Sequence, residues 1–375
     1  MITRRVKDKE SKFQVKLLEY INNSMYKNME LYFNNVSEDV EDENVNEAGG
    51  VAGIPIISGI HKLYNDLNLI VKQEDEKSVN VVNDKQKVNF GFIGSKILDC
   101  KKHTIRIKFN DDDYNFNKLI SLPNSVMVFR ITDIEINNPI YASMFKEQIG
   151  NKNYYRSQPE DTIKNGDYIK ASPESIGIDI MAVNGEICPK SFYASFFHEF
   201  NHLFQDYNQH IKNSRREYVK KYRITQAIQL ISKDIDLTPE DKKCIQRVLS
   251  TLLNDTEINA YAAGHFGELL GEDVKANEYN SFIKRSNVWS HISNIKSCID
   301  HIFDFDDDKL FKIYNVIKTT QFDELFSSDN VDESNFKRIF KKNLLKRIKK
   351  LIDATTKVAS YYFGMTSSYN NKRVN

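Results

Sequence analysis

The chain of 375 residues is expected to fold as an α+β protein, mixed in its first half and helical in its second. Three observations carry this expectation. Segments between residues 87 and 136, and again at 177–183, are rich in β-branched and aromatic residues and partly alternate, as half-buried strands do. From about Pro189 onward apolar residues recur every three or four positions, as they do on helices that bury one face. Joining the two halves is a segment, 191–207, that is apolar and carries two histidines.

In chain order, Phe13, Leu17, Leu18, Ile21, Met25 and Met29 predict a helix over 11–33. Residues 37–53 hold six acids followed by three glycines and read as a flexible linker or mobile loop. Strands are expected at 88–94, 104–109 and 126–136. Between the last two, Asn110-Asp-Asp-Asp-Tyr-Asn-Phe-Asn117 opens like a calcium loop but lacks the glycine and the closing glutamate that an EF-hand needs, so it is expected to be a solvated turn. The strand at 177–183 ends in Asn184-Gly185, a hairpin signal. Helices are then expected at 191–207, 217–235, 240–270, 282–303, 309–320 and 335–359. Thr238-Pro239-Glu240-Asp241 marks one start, with Thr238 as N-cap and Pro239 at the first helical position.

Composition narrows the function. Lys plus Arg number 53 against 52 acids, a net charge of +1, which argues against a dedicated nucleic-acid or polyanion binder. No apolar run reaches the roughly 18 residues of a membrane span, and the start lacks the apolar core of a secretory signal. Cys100, Cys188, Cys244 and Cys298 form no CxxC pair and are read as reduced thiols, so a cytoplasmic setting is expected.

The chemistry is concentrated in His198-Glu199-Phe200-Asn201-His202, an H-E-x-x-H pattern. Residues four apart on a helix project from one face, so both imidazoles can reach one zinc ion, and Glu199 is placed to act as general base on a metal-bound water. At this chain's histidine and glutamate frequencies such a pattern arises by chance in roughly 1% of chains of this length. Two buried histidines beside a carboxylate also need a reason, because Phe192, Phe196, Phe197, Leu203 and Phe204 flank them. A catalytic zinc needs a third protein ligand. Gln205 and Asn208 exclude a third histidine in H-E-x-x-H-x-x-G-x-x-H spacing, and His210 lies too far along the axis, about 12 Å at 1.5 Å per residue. A carboxylate on a second helix remains. Glu257, among Ala260, Ala262, Ala263 and Gly264, is the first candidate, with Glu268, Glu272 and Glu240 behind it.

On these residues, His198 to His202 and Glu257 to Tyr261, the chain resembles the gluzincin metallopeptidases. The resemblance implies a zincin-like catalytic domain with a small mixed sheet, zinc held by His198, His202 and Glu257, and Glu199 as base. Thermolysin-like members carry an Asp four residues after the ligand glutamate; here Tyr261 stands there, which leaves Asp255 or Asp206 to orient a histidine. Tyr261 and His265 are candidates for the donor that stabilises the oxyanion. The strand at 177–183 is where such enzymes pair an extended substrate. The implied organisation is an N-terminal helix at 1–36, a linker at 37–53, a catalytic domain at 54–275 and a helical region at 276–375. The expected function is a zinc-dependent endopeptidase acting on a protein substrate, cytoplasmic or similar to bacterial effector proteases that enter a host cell without a signal peptide.

The alternative comes from residues 337–350, where eight basic residues interleave with Phe336, Ile339, Phe340, Leu344, Ile348 and Leu351. One reading is a surface for an acidic partner or a membrane, on a non-catalytic scaffold with a zincin-like fold. The other is a terminal helix that buries its apolar stripe and faces the acids of 304–308.

Overall fold

A computed structural model describes residues 54–73, 81–89, 97–108, 126–150, 175–212, 214–320 and 335–373. The helix expected at 11–33, the linker at 37–53 and the loop at 110–117 lie outside the described residues. The elements are α1 (Ile54–Gln73), β1 (Val81–Asn89), β2 (Ile97–Lys108), β3 (Val126–Ile134), α2 (Pro139–Gly150), β4 (Ser175–Val183), β5 (Glu186–Ile187), α3 (Pro189–Lys212), α4 (Ser214–Asp234), α5 (Pro239–Leu252), α6 (Asp255–Gly271), α7 (Tyr279–Ile283), α8 (Asn287–Phe303), α9 (Asp307–Thr319) and α10 (Phe336–Arg373). The protein is mixed α+β, with a small mixed sheet and a mostly helical C-terminal half.

The sheet runs β1-β2-β3-β4-β5, antiparallel except for the parallel pair β3–β4. A parallel pair needs a crossover, and α2 lies in that connection. Met127, Phe129 and Ile131 of β3 and Ile178, Ile180 and Ala182 of β4 point to one face, where Ile60, Leu63 and Leu67 of α1 and Phe192, Phe196 and Phe200 of α3 join them in one core. Of the strand expected at 88–94, Val88 and Asn89 lie in β1 (Val81–Asn89) and 90–94 are outside the described residues. The polar sequence of β1, Val-Val-Asn-Asp-Lys-Gln-Lys-Val-Asn, is strand because it pairs with β2 along its length, which no local pattern announces.

The expected turn forms at Asn184-Gly185, with both residues at positive φ (53° and 74°). Gly185 N–H donates to the Asp133 carboxylate at 3.0 Å, and the Asn184 amide bridges the N–H and carbonyl of Ile136. The hairpin is thereby pinned to the end of β3. The Tyr64 hydroxyl of α1 donates to the Ile187 carbonyl, and Asn68 accepts from the Ile187 N–H. The chain therefore enters α3 at Pro189 from a fixed point.

A second core is made by α4, α5, α6, α8, α9 and α10, and it runs continuously from Ile224 to Ala354. Thr238 caps α5 through a reciprocal capping box with Asp241, as the sequence indicated. The single helix expected over 240–270 is instead two. Leu253 ends α5 and Asn254, extended at φ −112° and ψ 110°, caps α6 by accepting from the Thr256 N–H. Leu252, Leu253 and Ile258 pack into the same core on both sides of the break, so the apolar content of the segment does not reveal it.

The basic helix is α10. Phe336, Phe340, Leu344, Ile348 and Leu351 are buried in the second core. Several of its basic residues hold acids of the same chain: Lys337 with Asp307 (2.9 Å), Lys341 with Asp300 (3.6 Å), and Arg347 and Lys350 with Asp255. Among the described residues no helix is long and apolar enough to cross a membrane.

The two cores meet where α6 lies antiparallel along α3. Two glycines set the approach: a Cβ on Gly267 would stand 2.2 Å from the Tyr193 carbonyl oxygen, and one on Gly271 would stand 2.8 Å from Lys190 Cα. Both obstacles are backbone, so neither can move aside. Gly267→Ala is accordingly expected to cost about 1–3 kcal/mol, read as a fall in melting temperature of several degrees; an unchanged value would show that the helices do not touch here.

Candidate metal centre

On α3 the stripe of Phe192, Phe196 and Phe200 is buried against the sheet, which turns positions 198 and 202, about 200° round from 196 and 200, toward α6. The close contact at Gly267 and Gly271 holds the far end of α6 against that face. Ala260, Gly264, Gly267 and Gly271 share one stripe with Glu257, at spacings of three and four. Glu257 lies in the first turn of α6, because Asn254 starts the helix just before it. The break at Leu253-Asn254 therefore fixes where along α3 the carboxylate arrives.

It arrives at the histidines. Glu257 Oε2 is 3.8 Å from His198 Nε2, and Oε1 is 3.5 Å from His202 Nε2. One ligand atom from each of the three residues lies within 4.8 Å of the others. These separations exceed the about 2.7–3.2 Å of an N–H···O hydrogen bond. They suit two atoms sharing an ion: ligands about 2.1 Å from a tetrahedral zinc stand about 3.4 Å apart. His198 is 3% exposed, and the side chains of His202 and Glu257 are about one quarter exposed, so one side of the cluster is closed by protein and the other is accessible. Burial, reinforced by His202, holds the His198 imidazole far below its ordinary value, at about 3. The ring is thus neutral with a lone pair to offer, as a metal ligand must be. The backbone of Ala260 pulls the imidazole slightly the other way, so α6 borders this histidine as well as supplying a carboxylate.

Glu199 is 3% exposed, and its Oε1 is 4.0 Å from His198 Nε2. Tyr261, one turn after Glu257, sets its ring edge-on to His198 at 4.9 Å and stacks on His291 of α8 at 4.1 Å. Its hydroxyl hydrogen-bonds with Thr251, whose Oγ1 is 3.2 Å from His291 Nε2. Burial, then the Glu257 charge, pushes the Tyr261 hydroxyl upward, so it keeps its proton. His291 is held down to about 4 by burial and by Arg247.

No protein-family model, curated protein or solved structure matches this chain. What can be said of the centre rests on its own geometry.

His198, His202, Glu257, Glu199 and Tyr261 are brought together. His265 is not. It is fully buried, with Nδ1 3.1 Å from Glu268 Oε2 and Nε2 3.1 Å from the Tyr279 hydroxyl, in a network that also ties Ser286 and Asn287 to Glu268. Eight residues advance a helix by about 80° beyond two full turns, so His265 faces the α7–α8 connection. The lesser ligand candidates are elsewhere too. Glu268 belongs to that network, Glu272 pairs with Lys190 and Arg285, and Glu240 is exposed in the first turn of α5. Asp255 does not orient a histidine. Burial pushes its carboxyl up, but Arg347 and Lys350 outweigh this and hold it low. Arg347 also donates to the Leu252 carbonyl at 2.6 Å, so the basic helix clamps the α5–α6 break. The side chain of Asp206 lies outside the described ones. Sequence reasoning missed His291, Thr251 and Arg247, which carry no spacing relation to the H-E-x-x-H segment.

The depressed imidazoles give stability a defined pH dependence. In the unfolded chain both histidines take up protons near 6.5, whereas the folded chain resists until about 4 for His291 and about 3 for His198. The folded state thus binds fewer protons below 6.5, and stability present above that pH is lost as pH falls. With chelator present, the urea midpoint is expected to drop between pH 6.5 and 5, above the carboxylate range, and His291→Gln should flatten the drop. A flat wild-type profile would contradict the burial of neutral imidazoles.

Proposed function

We propose that the protein is a zinc-dependent endopeptidase of the gluzincin type. The observation that carries the reading is the convergence of His198, His202 and Glu257 within 4.8 Å beside the buried carboxyl of Glu199. Two imidazoles and one carboxylate are a donor set of catalytic zinc, which leaves a fourth position open. The same set serves non-haem iron(II) oxygenases. Glu199, a further carboxyl on the same helix, favours hydrolysis, which requires a base beside the metal.

When bound, zinc lowers the pKa of its water and polarises the scissile carbonyl. Glu199 takes the water's proton and passes it to the leaving amine, acting first as base and then as acid. Tyr261, protonated and held by Thr251, positions His198 and is the nearby candidate donor to the developing oxyanion. The substrate is an extended segment of protein. Among the described residues β4 is paired on its outer side only at Ala182 and Val183, which leaves the main-chain groups of 175–181 as a template for strand addition.

Two measurements test the reading. Protein prepared without chelator is expected to carry one zinc per chain, with occupancy reduced more than about tenfold in Glu257→Ala. Glu199→Gln should keep the zinc and lose peptide hydrolysis by about 10²–10⁴-fold, read as new N-termini generated in a mixed-proteome digest. Iron in place of zinc, or Glu199→Gln cleaving as well as wild type, would sink the peptidase.

A further inference from the structure

α5 and α8 pack antiparallel in a register that polar contacts mark from end to end. Asp241 Oδ1 meets His301 Nε2 at 2.8 Å, and Thr251 Oγ1 meets His291 Nε2 at 3.2 Å, the residue number falling on α8 as it rises on α5. Between them, in the same register, stand two cysteines. Cys244 Sγ and Cys298 Sγ are 2.6 Å apart, both buried and both thiols. That separation is only roughly 0.5 Å beyond the about 2.05 Å of a disulfide bond. The other two cysteines lie in the sheet half, Cys100 on β2 and Cys188 just ahead of α3.

We propose that Cys244 and Cys298 form a redox site, a dithiol that becomes a disulfide and locks α5 to α8. The oxidant is a small-molecule disulfide of the oxidised-glutathione class. One cysteine thiolate attacks it, breaking its S–S bond, forming a mixed disulfide and releasing one small thiol. The second thiolate attacks the cysteine sulfur of the mixed disulfide and releases the other thiol. Two electrons pass from the protein to the oxidant, and the two cysteine protons end on the released thiols. Arg247 Nη1 lies 3.8 Å from Cys298 Sγ. Burial, and then Cys298 itself, pushes the Cys244 thiol up to about 12, so exchange belongs to folding, before the helices close. Once formed, the bond is shielded from reductant by the core that surrounds it. Its effect is local: it fixes the register two turns from the Thr251–His291 contact that holds Tyr261. None of this depends on a metal being bound.

The test uses the full chain, reduced in denaturant and returned to native buffer containing reduced and oxidised glutathione. It is then blocked with iodoacetamide and digested without reductant. Mass spectrometry is expected to find the peptides of Cys244 and Cys298 as one cross-linked species, and the thiol count under denaturing conditions to fall from four to two. Four titratable thiols, or links through Cys100 or Cys188, would overturn the proposal. The same readout on chain made in an oxidising expression host requires no refolding. Oxidised wild type should also melt several degrees above the reduced form, and the double variant Cys244→Ala/Cys298→Ala should show no such difference. Equal melting of the two wild-type forms would overturn the lock.

Discussion

Gly267 and Gly271 present bare backbone to the first turns of α3, and that contact sets the distance between the two helices that carry the three candidate ligands further along. A helix pair held apart by ordinary side chains sits 8–10 Å between axes. Here one partner has no side chain at two points of contact, so the carboxylate of Glu257 comes within 3.5–3.8 Å of two imidazoles. The cost is the burial of His198 and Glu199, both 3% exposed. Removing ionisable groups from water is unfavourable unless they are neutral or matched by an opposite charge. A cation among them would answer that requirement.

The remaining elements hold those two helices in place from either side. Behind α3 the sheet, α1 and the pinned hairpin at Asn184-Gly185 fix where the helix begins. Behind α6 stand α8 and α10. His291 backs Tyr261, and Arg347 clasps the Leu252 carbonyl and Asp255 where α6 starts. The basic helix, which from its composition alone suggests an outward-facing surface, thus spends Arg347 and Lys350 on the geometry of the centre. Its apolar stripe is core, and the helical half extends the scaffold of the centre through one continuous cluster.

Much of this was legible where local geometry decides it. The spacing of His198 and His202 fixes their shared face on any helix. Asn184-Gly185 needs positive φ at both residues, and Thr238-Pro239 announces a helix start. Glu257 was marked out by its small neighbours, although the glycines that matter most, Gly267 and Gly271, lay further along the same stripe. Three things were hidden for one reason, that tertiary packing decides them. The break at Leu253-Asn254 sits between apolar residues of one core, so only the cap residue betrays it. β1 is polar and is strand only because β2 pairs with it. His265 shares helical spacing with Glu257 over one turn but rotates away over two, into a network assembled from Tyr279, Ser286 and Glu268.

The two histidines belong to a helix rooted in the sheet core, while Glu257 rises from the helical core, with 55 positions of sequence between His202 and Glu257. The seam between α3 and α6 is therefore where the two cores join. An ion bound only by the assembled seam would couple the two cores, because it would resist the unfolding of either side.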